Sequence, residues 1–220
     1  MAALTLGDLK VLVRNMLADN VNYTPTVASS VTANSFSDEQ VRDAINWAAK
    51  RYVDRKSGTP NTVVTATRST TTARFTLPGT LNGVIRVLYV FTSDGTSDPR
   101  LVKSSLEMER LENIDFNVTT PTNTGAKRWM YSSSGMNEII LGPGVPTGTT
   151  SVEVHVVDAP NTLSLDADTL NAQYVPIAAQ EHLRFAAAAW LLQSVGDQQD
   201  IALADKWLEQ FNSLIASYGV

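Results

Sequence analysis

The chain has 220 residues, 43% of them hydrophobic, no cysteine and a formal net charge of -5. That is ample apolar side chain for a buried core, while disulfides, thiolate nucleophiles and cysteine-based metal sites are excluded together. No apolar run approaches the roughly 18 residues of a membrane span, and Met1 to Asp8 lacks a basic region followed by an apolar stretch, so folding in a cytoplasm is expected.

The spacing of Leu6, Leu9, Leu12, Val13, Met16 and Leu17 predicts a first helix over 6–18, with Thr5 as its cap and Asp8 at its positive end. Residues 19–35 read as a long polar loop, a length that often binds something or orders on assembly. Ser37-Asp38-Glu39-Gln40 is a capping box that starts a second helix, with Phe36 before the cap and Val41 placed to staple onto it. The buried stripe of that helix is Val41, Ala44, Ile45, Ala48 and Tyr52. Trp47 falls off the stripe and is either a candidate contact with a neighbouring subunit or simply a partly buried side chain.

After Gly58-Thr59-Pro60, β-branched residues and turn formers replace the helical period. Strands are expected near 62–66, 72–77, 84–91, 127–131, 138–141 and 151–157. In the last, Val152, Val154 and Val156 share one face against Glu153 and His155. The run Val84 to Phe91 is apolar on both faces except at Arg86, which places it centrally in a sheet. A second capping box, Ser104-Ser105-Leu106-Glu107, begins a short helix, and 113–124 follows as a polar loop. Strand character ends at Asp158-Ala159-Pro160.

A connecting segment, 163–174, leads to Pro176 in the first turn of a third helix. Its apolar side holds Ile177, Leu183, Ala186, Ala187, Trp190 and Leu191, and the small residues of Phe185 to Ala189 let a neighbour approach closely. Ala204, Trp207, Leu208, Phe211, Leu214, Ile215 and Tyr218 mark a fourth helix running nearly to the last residue. Neither terminal pair of helices can hide its apolar faces alone. The expected architecture is therefore α+β: a four-helix bundle from 1–60 plus 161–220, with 61–160 as an inserted antiparallel β domain carrying one short helix.

Charge is unevenly placed. Residues 161–220 hold Arg184 and Lys206 against seven carboxylates, and no cation cluster of the kind that grips DNA phosphates exists. Lys50-Arg51 with Arg55-Lys56 is the nearest approach and reads as a solvated helix end whose cations complement the dipole. His155 and His182 each lack a second histidine at ligand spacing, and no Gly-x-Ser-x-Gly elbow or phosphate-binding glycine pattern occurs. Asp166-Ala167-Asp168 opens like a calcium loop without the glycine and distal Glu such a loop needs, so it reads as a solvated turn or cap. Glu107, Glu109 and Glu112 share one short helix as an exposed polar face. Trp129 and Tyr131 alternate on one strand and line either a sugar-binding surface or, preferably, the sheet core.

The Leu6-Gly7-Asp8-Leu9 helix, Phe36-Ser37-Asp38-Glu39-Gln40-Val41 through Asn46, the strand end Thr76-Leu77-Pro78, Ile139-Ile140-Leu141-Gly142-Pro143, Asp158-Ala159-Pro160 and the Leu183 to Leu192 helix occur in this order along nearly the whole chain. The pattern resembles the head-to-tail adaptor (connector) proteins of short-tailed bacteriophages, the group that includes tail tubular protein A. The resemblance implies a helical bundle bearing a β domain, in a ring of about twelve copies that binds the portal protein and the tail nozzle or tube protein. Double-stranded DNA would pass non-specifically through the ring, made in the host cytoplasm and placed at the head-tail junction of the virion. It implies no enzyme activity, no catalytic residue, no cofactor or metal and no membrane contact, with Trp47, Tyr52, Trp190 and Trp207 as bundle or intersubunit anchors. Almost no sequence follows the fourth helix here, so the helices themselves would dock the portal. The alternative reading is a carbohydrate-binding or saccharide-cleaving virion protein acting through Trp129, Tyr131 and nearby carboxylates.

Overall fold

The computed structural model describes residues 2–17, 36–56, 62–68, 71–92, 100–105, 107–108, 118, 126–133, 135–145, 148–195 and 198–217. The expected loops 19–35 and 113–124, Val118 apart, lie outside the described residues. So does most of the expected short helix: Glu107 and Met108 are helical, and the bond from Met108 N to Ser105 Oγ (3.2 Å) puts the cap at Ser105 rather than at Ser104. The chain divides into two compact units, Met1–Pro60 with Pro160–Val220, and Asn61–Ala159.

The first unit is helical: α1 (Leu6–Met16), α2 (Asp38–Arg55), α3 (Ile177–Gln180), α4 (Leu183–Val195) and α5 (Gln198–Ser217). Reciprocal capping boxes start the first two. In α1, Asp8 N donates to Thr5 Oγ1 (3.1 Å) while the Asp8 carboxylate accepts from Thr5 N (3.0 Å); in α2, Gln40 and Ser37 make the same exchange at 3.2 and 2.8 Å. α4 carries apolar residues round most of its circumference and is buried on most sides, with Arg184, Trp190 and Leu192 half-buried and Gln193 and Ser194 exposed. It packs on α1, α2 and α5, with Leu183, Ala186, Ala187, Ala188, Ala189 and Leu191 at 0–1% exposure. The alanine run leaves no side chain to hold the neighbours off.

The third helix expected from Pro176 is in fact two. Ala179 N bonds to Pro176 O, His182 N to Ala179 O and Phe185 N to His182 O, a tightened i to i+3 pattern that breaks the ladder at Glu181-His182. The break lets Gln180, 0% exposed, turn inward. Its Oε1 accepts from Leu4 N (2.9 Å) and its Nε2 donates to Val175 O (3.2 Å) and Leu170 O (3.4 Å).

The second unit is a seven-stranded sheet: β1 (Thr62–Arg68), β2 (Arg74–Thr76), β3 (Val84–Phe91), β4 (Val102–Lys103), β5 (Arg128–Ser132), β6 (Gly135–Gly142) and β7 (Ser151–Asp158). The order is β3-β7-β1-β2-β6-β5-β4, and every pairing is antiparallel except β4 with β5, which is parallel. β3 is therefore terminal rather than central as its apolar run suggests. The cause is curvature: Leu101 N donates to Val90 O (2.9 Å), Phe91 and Arg100 form an antiparallel bridge, and Val87 N donates to Tyr131 Oη (2.9 Å). The two ends of the sheet meet, so β3 has neighbours on both sides. Phe75, Trp129, Met130, Ile139, Ile140 and Val154, all at 0–1% exposure, belong to the core of this unit. The buried Asp158 carboxylate accepts from Gly83 N (3.1 Å) and Asn82 Nδ2 donates to Ala159 O (3.2 Å), tying the β3 approach to the end of β7.

Candidate assembly interface

Trp47 lies beside the buried stripe of α2, at the margin of its contact with α4. There it meets Trp190, the ring centroids 6.3 Å apart and tilted by 34°, with both side chains half-buried. One turn further along α2 the Arg51 guanidinium lies 5.1 Å from the Trp47 ring centroid. Arg51 Nε is buried and has no hydrogen-bond acceptor among the described residues. Burial first, and then the neighbouring charge of Arg55, pull the Arg51 pKa below its usual value, against a smaller opposing effect of Asp54. Tyr52, at 1% exposure, is a packing residue of the helical unit, with Lys56 Nζ 5.9 Å from its ring centroid. Trp207 is half-buried on α5 and joins neither Trp47 nor Trp190 in a ring pair among the described residues.

A polar framework that the sequence reading missed holds this unit together. Lys10 Nζ reaches Asp38 Oδ2 (2.8 Å) and Asp166 Oδ1 (2.7 Å); Arg14 Nη2 reaches Asp38 Oδ1 (2.9 Å) and Phe36 O (3.3 Å). The two cations are nearly inaccessible, at 6% and 1% exposure. Burial alone raises the pKa of Asp38, but hydrogen bonds and charges from Lys10 and Arg14 outweigh it and hold the carboxyl below its ordinary 3.8. A detectable signal was present, since Lys10 and Arg14 sit four apart beside the Leu6, Leu9, Val13 stripe.

Asp166 and Asp168 thus have separate tasks. Asp166 is an ion-pair partner and its carbonyl accepts from Gly7 N (3.0 Å). Asp168 caps its own turn through Ser164 N (2.7 Å) and Leu165 N (2.8 Å), bonds that lower its pKa, and its carbonyl accepts from Leu6 N (2.8 Å). Asn46 pairs with both backbone groups of Leu163, at 3.0 and 2.9 Å.

In the β unit, Trp129 is 1% exposed and stands edge-on to Tyr131 at 5.3 Å, so it belongs to the core. Glu107 is exposed; Glu109 and Glu112 lie outside the described residues. Tyr89, Phe91 and His155 cluster on the outer side, with centroids 5.0–6.3 Å apart, the Arg100 guanidinium 4.0 Å from the Tyr89 centroid, and His155 Nε2 2.8 Å from Glu153 Oε1. His182 lies beside Phe185. A cleft of about 370 Å³ runs between β3 and β4, lined by Leu88, Tyr89, Arg100, Leu101, Lys103 and Trp129 among others.

Among the described residues no helix is long and apolar enough to cross a membrane. No curated protein matches the chain in sequence. A family model, that of the SU10 adaptor protein, matches residues 4–219. Nearly every element above, from the Thr5 cap to the end of α5, falls inside that match, and the chain belongs to the SU10 adaptor protein family, the structural adaptors of bacteriophage virions.

Proposed function

We propose that the protein forms a ring of about twelve copies that joins the portal to the tail nozzle or tube and surrounds the DNA exit channel, at the head-tail junction of the virion. In this reading the two ends of the chain make a four-helix bundle as the ring-forming base, and the β unit is an inserted domain available to a second partner. The observation that carries it is the adaptor-family match over residues 4–219. Half-buried Trp47 and Trp190 support it, because paired indoles at the margin of a helix contact are typical anchors for a neighbouring subunit. The net charge of -5 suits a passage that duplex DNA traverses without adhering. Native mass spectrometry and negative-stain imaging of the full chain, alone and with the portal and nozzle proteins of its phage, test the proposal. A closed ring of about a dozen subunits that captures both partners is expected. A chain that stays monomeric at high concentration with portal present overturns it.

A further inference from the structure

A closed ring needs two different, complementary surfaces on each subunit, and the helical unit carries such a pair. On α2, Trp47, Arg51 and Arg55 follow at four-residue steps along one outward side, flanked by Lys50 and Asp54; Lys50, Asp54 and Arg55 are exposed. On α5, Ile201, Asp205 and Glu209 follow at the same steps, all exposed, with Ile201 at 38%. Residues four apart on a helix rise by about 6 Å, so the two rows have one repeat: an apolar residue, then two like charges. The signs are opposite. Lys206 lies roughly 100° around α5 from Asp205 and does not break the acidic row.

We propose that the Trp47-Arg51-Arg55 row of α2 docks against the Ile201-Asp205-Glu209 row of α5 from a second copy of this chain, Arg51 to Asp205 and Arg55 to Glu209. The state of Arg51 points the same way. Its Nε is shut off from solvent with no described acceptor, its guanidinium is held over an indole, and the cation of Arg55 one turn away outweighs the neighbouring carboxylate of Asp54. A desolvated guanidinium in that setting gains most from an incoming carboxylate. The Gln193 to Asp205 contact is long, 3.5 Å on an exposed surface, and leaves the carboxylate available. Both rows belong to one compact unit, in which α4 packs against α2 and α5 alike, so a single subunit carries both halves of the pairing.

The inference rests on the ring reading and is tested by charge exchange in the full chain. Arg51→Glu with Arg55→Glu, and separately Asp205→Arg with Glu209→Arg, each set like charges against each other and should abolish the ring in native mass spectrometry while circular dichroism shows folded protein. The quadruple variant, with both rows reversed, should recover the ring with an assembly midpoint within about tenfold of wild type. A ring that persists in either double variant overturns the pairing, as does a folded quadruple variant that stays dispersed; in both cases the ring itself stands. Should a double variant fail to fold, Arg51→Gln with Arg55→Gln gives the reading instead: its ring must lose most of the wild-type sensitivity to added salt, and an unchanged sensitivity overturns the pairing. Wild-type chain that never forms a ring overturns both proposals.

Discussion

Replacing Asp38 by Ala removes the carboxylate that two buried cations share. Arg14 is 1% exposed in its side chain and Lys10 7%, whereas Asp38 is 26% exposed, so water can reach the vacated position only from one side. Deleting one member of a buried ion pair costs about 3–5 kcal/mol. Access of water from the Asp38 side and the surviving 2.7 Å bond from Lys10 to Asp166 pull the expectation to about 3 kcal/mol, which includes the loss of a carboxylate from the first turn of α2. With a urea dependence of about 2 kcal/mol/M, the midpoint of the helical circular-dichroism transition should fall by about 1.5 M. Exchanging Lys10→Met, Arg14→Met and Asp38→Leu together should cost less than Asp38→Ala alone, because no buried cation is then stranded and the Asp166 carboxylate left behind is 27% exposed. Acid tests the same group. The folded-state pKa of Asp38 is depressed below 3.8, so its contribution is fully present above the unfolded-state value and is lost as the pH falls below about 4 through the folded pKa. The wild type should therefore lose more stability than Asp38→Ala over that acid range. A midpoint shift below about 0.3 M, or parallel acid profiles for the two proteins, refutes the network as a determinant of stability.

Gln180→Leu leaves Leu4 N, Leu170 O and Val175 O without their buried partner and should cost about 3 kcal/mol in urea unfolding; a loss below about 1 kcal/mol contradicts the assigned contacts. Asn46→Ala, which frees both backbone groups of Leu163, should cost about 2 kcal/mol and speed amide exchange at Leu163, and unaltered exchange there disproves the pairing. Trp129→Ala should destabilise the β unit by about 4 kcal/mol and Trp129→Phe by less than half of that. If instead Trp129→Ala leaves stability intact and abolishes binding to polysaccharide, the core assignment fails.

The parts of this protein legible in its sequence are those governed by local chemistry. Ser37 and Gln40 announce the start of α2 because a capping box is written in four consecutive residues. Val152, Val154 and Val156 declare the inward side of β7 because strand geometry alternates. β4 escaped notice since two residues carry no period, and β3 looked central because a closed sheet gives a terminal strand neighbours on both sides. The break between α3 and α4 goes with the inward turn of Gln180 toward Leu4, a contact 176 positions away that no local pattern encodes. The ion network was half legible: Lys10 and Arg14, four apart beside an apolar stripe, carry a signal, but the carboxylates of Asp38 and Asp166 are brought to them only by the fold. At the candidate interface, Trp47 could be recognised as lying off its stripe, while its partner Trp190 could not, because α4 is apolar round most of its circumference and offers no stripe to lie off.

The long-range contacts have a common destination. Leu4, Leu6, Gly7, Lys10 and Asn46 from the start of the chain all bond to the stretch from Leu163 to Gln180 that follows the β unit. Several of these bonds satisfy groups that helix geometry alone leaves open, since the amides of Leu6 and Gly7 in the first turn of α1 have no intrahelical acceptor. The returning chain supplies carbonyls at Asp168 and Asp166 in their place. The helical unit thus completes itself with its own two ends, and the interval between them needs only to begin and finish where those ends require. None of these bonds draws on a residue of 61–159, whereas a side-chain change at Asp166 or Gln180 removes the ion pair to Lys10 or the acceptor of Leu4 N, each more than 150 residues earlier in the chain. For a structural adaptor this separates the two problems it has to solve: one unit can adjust its surface to a partner while the other keeps its fold.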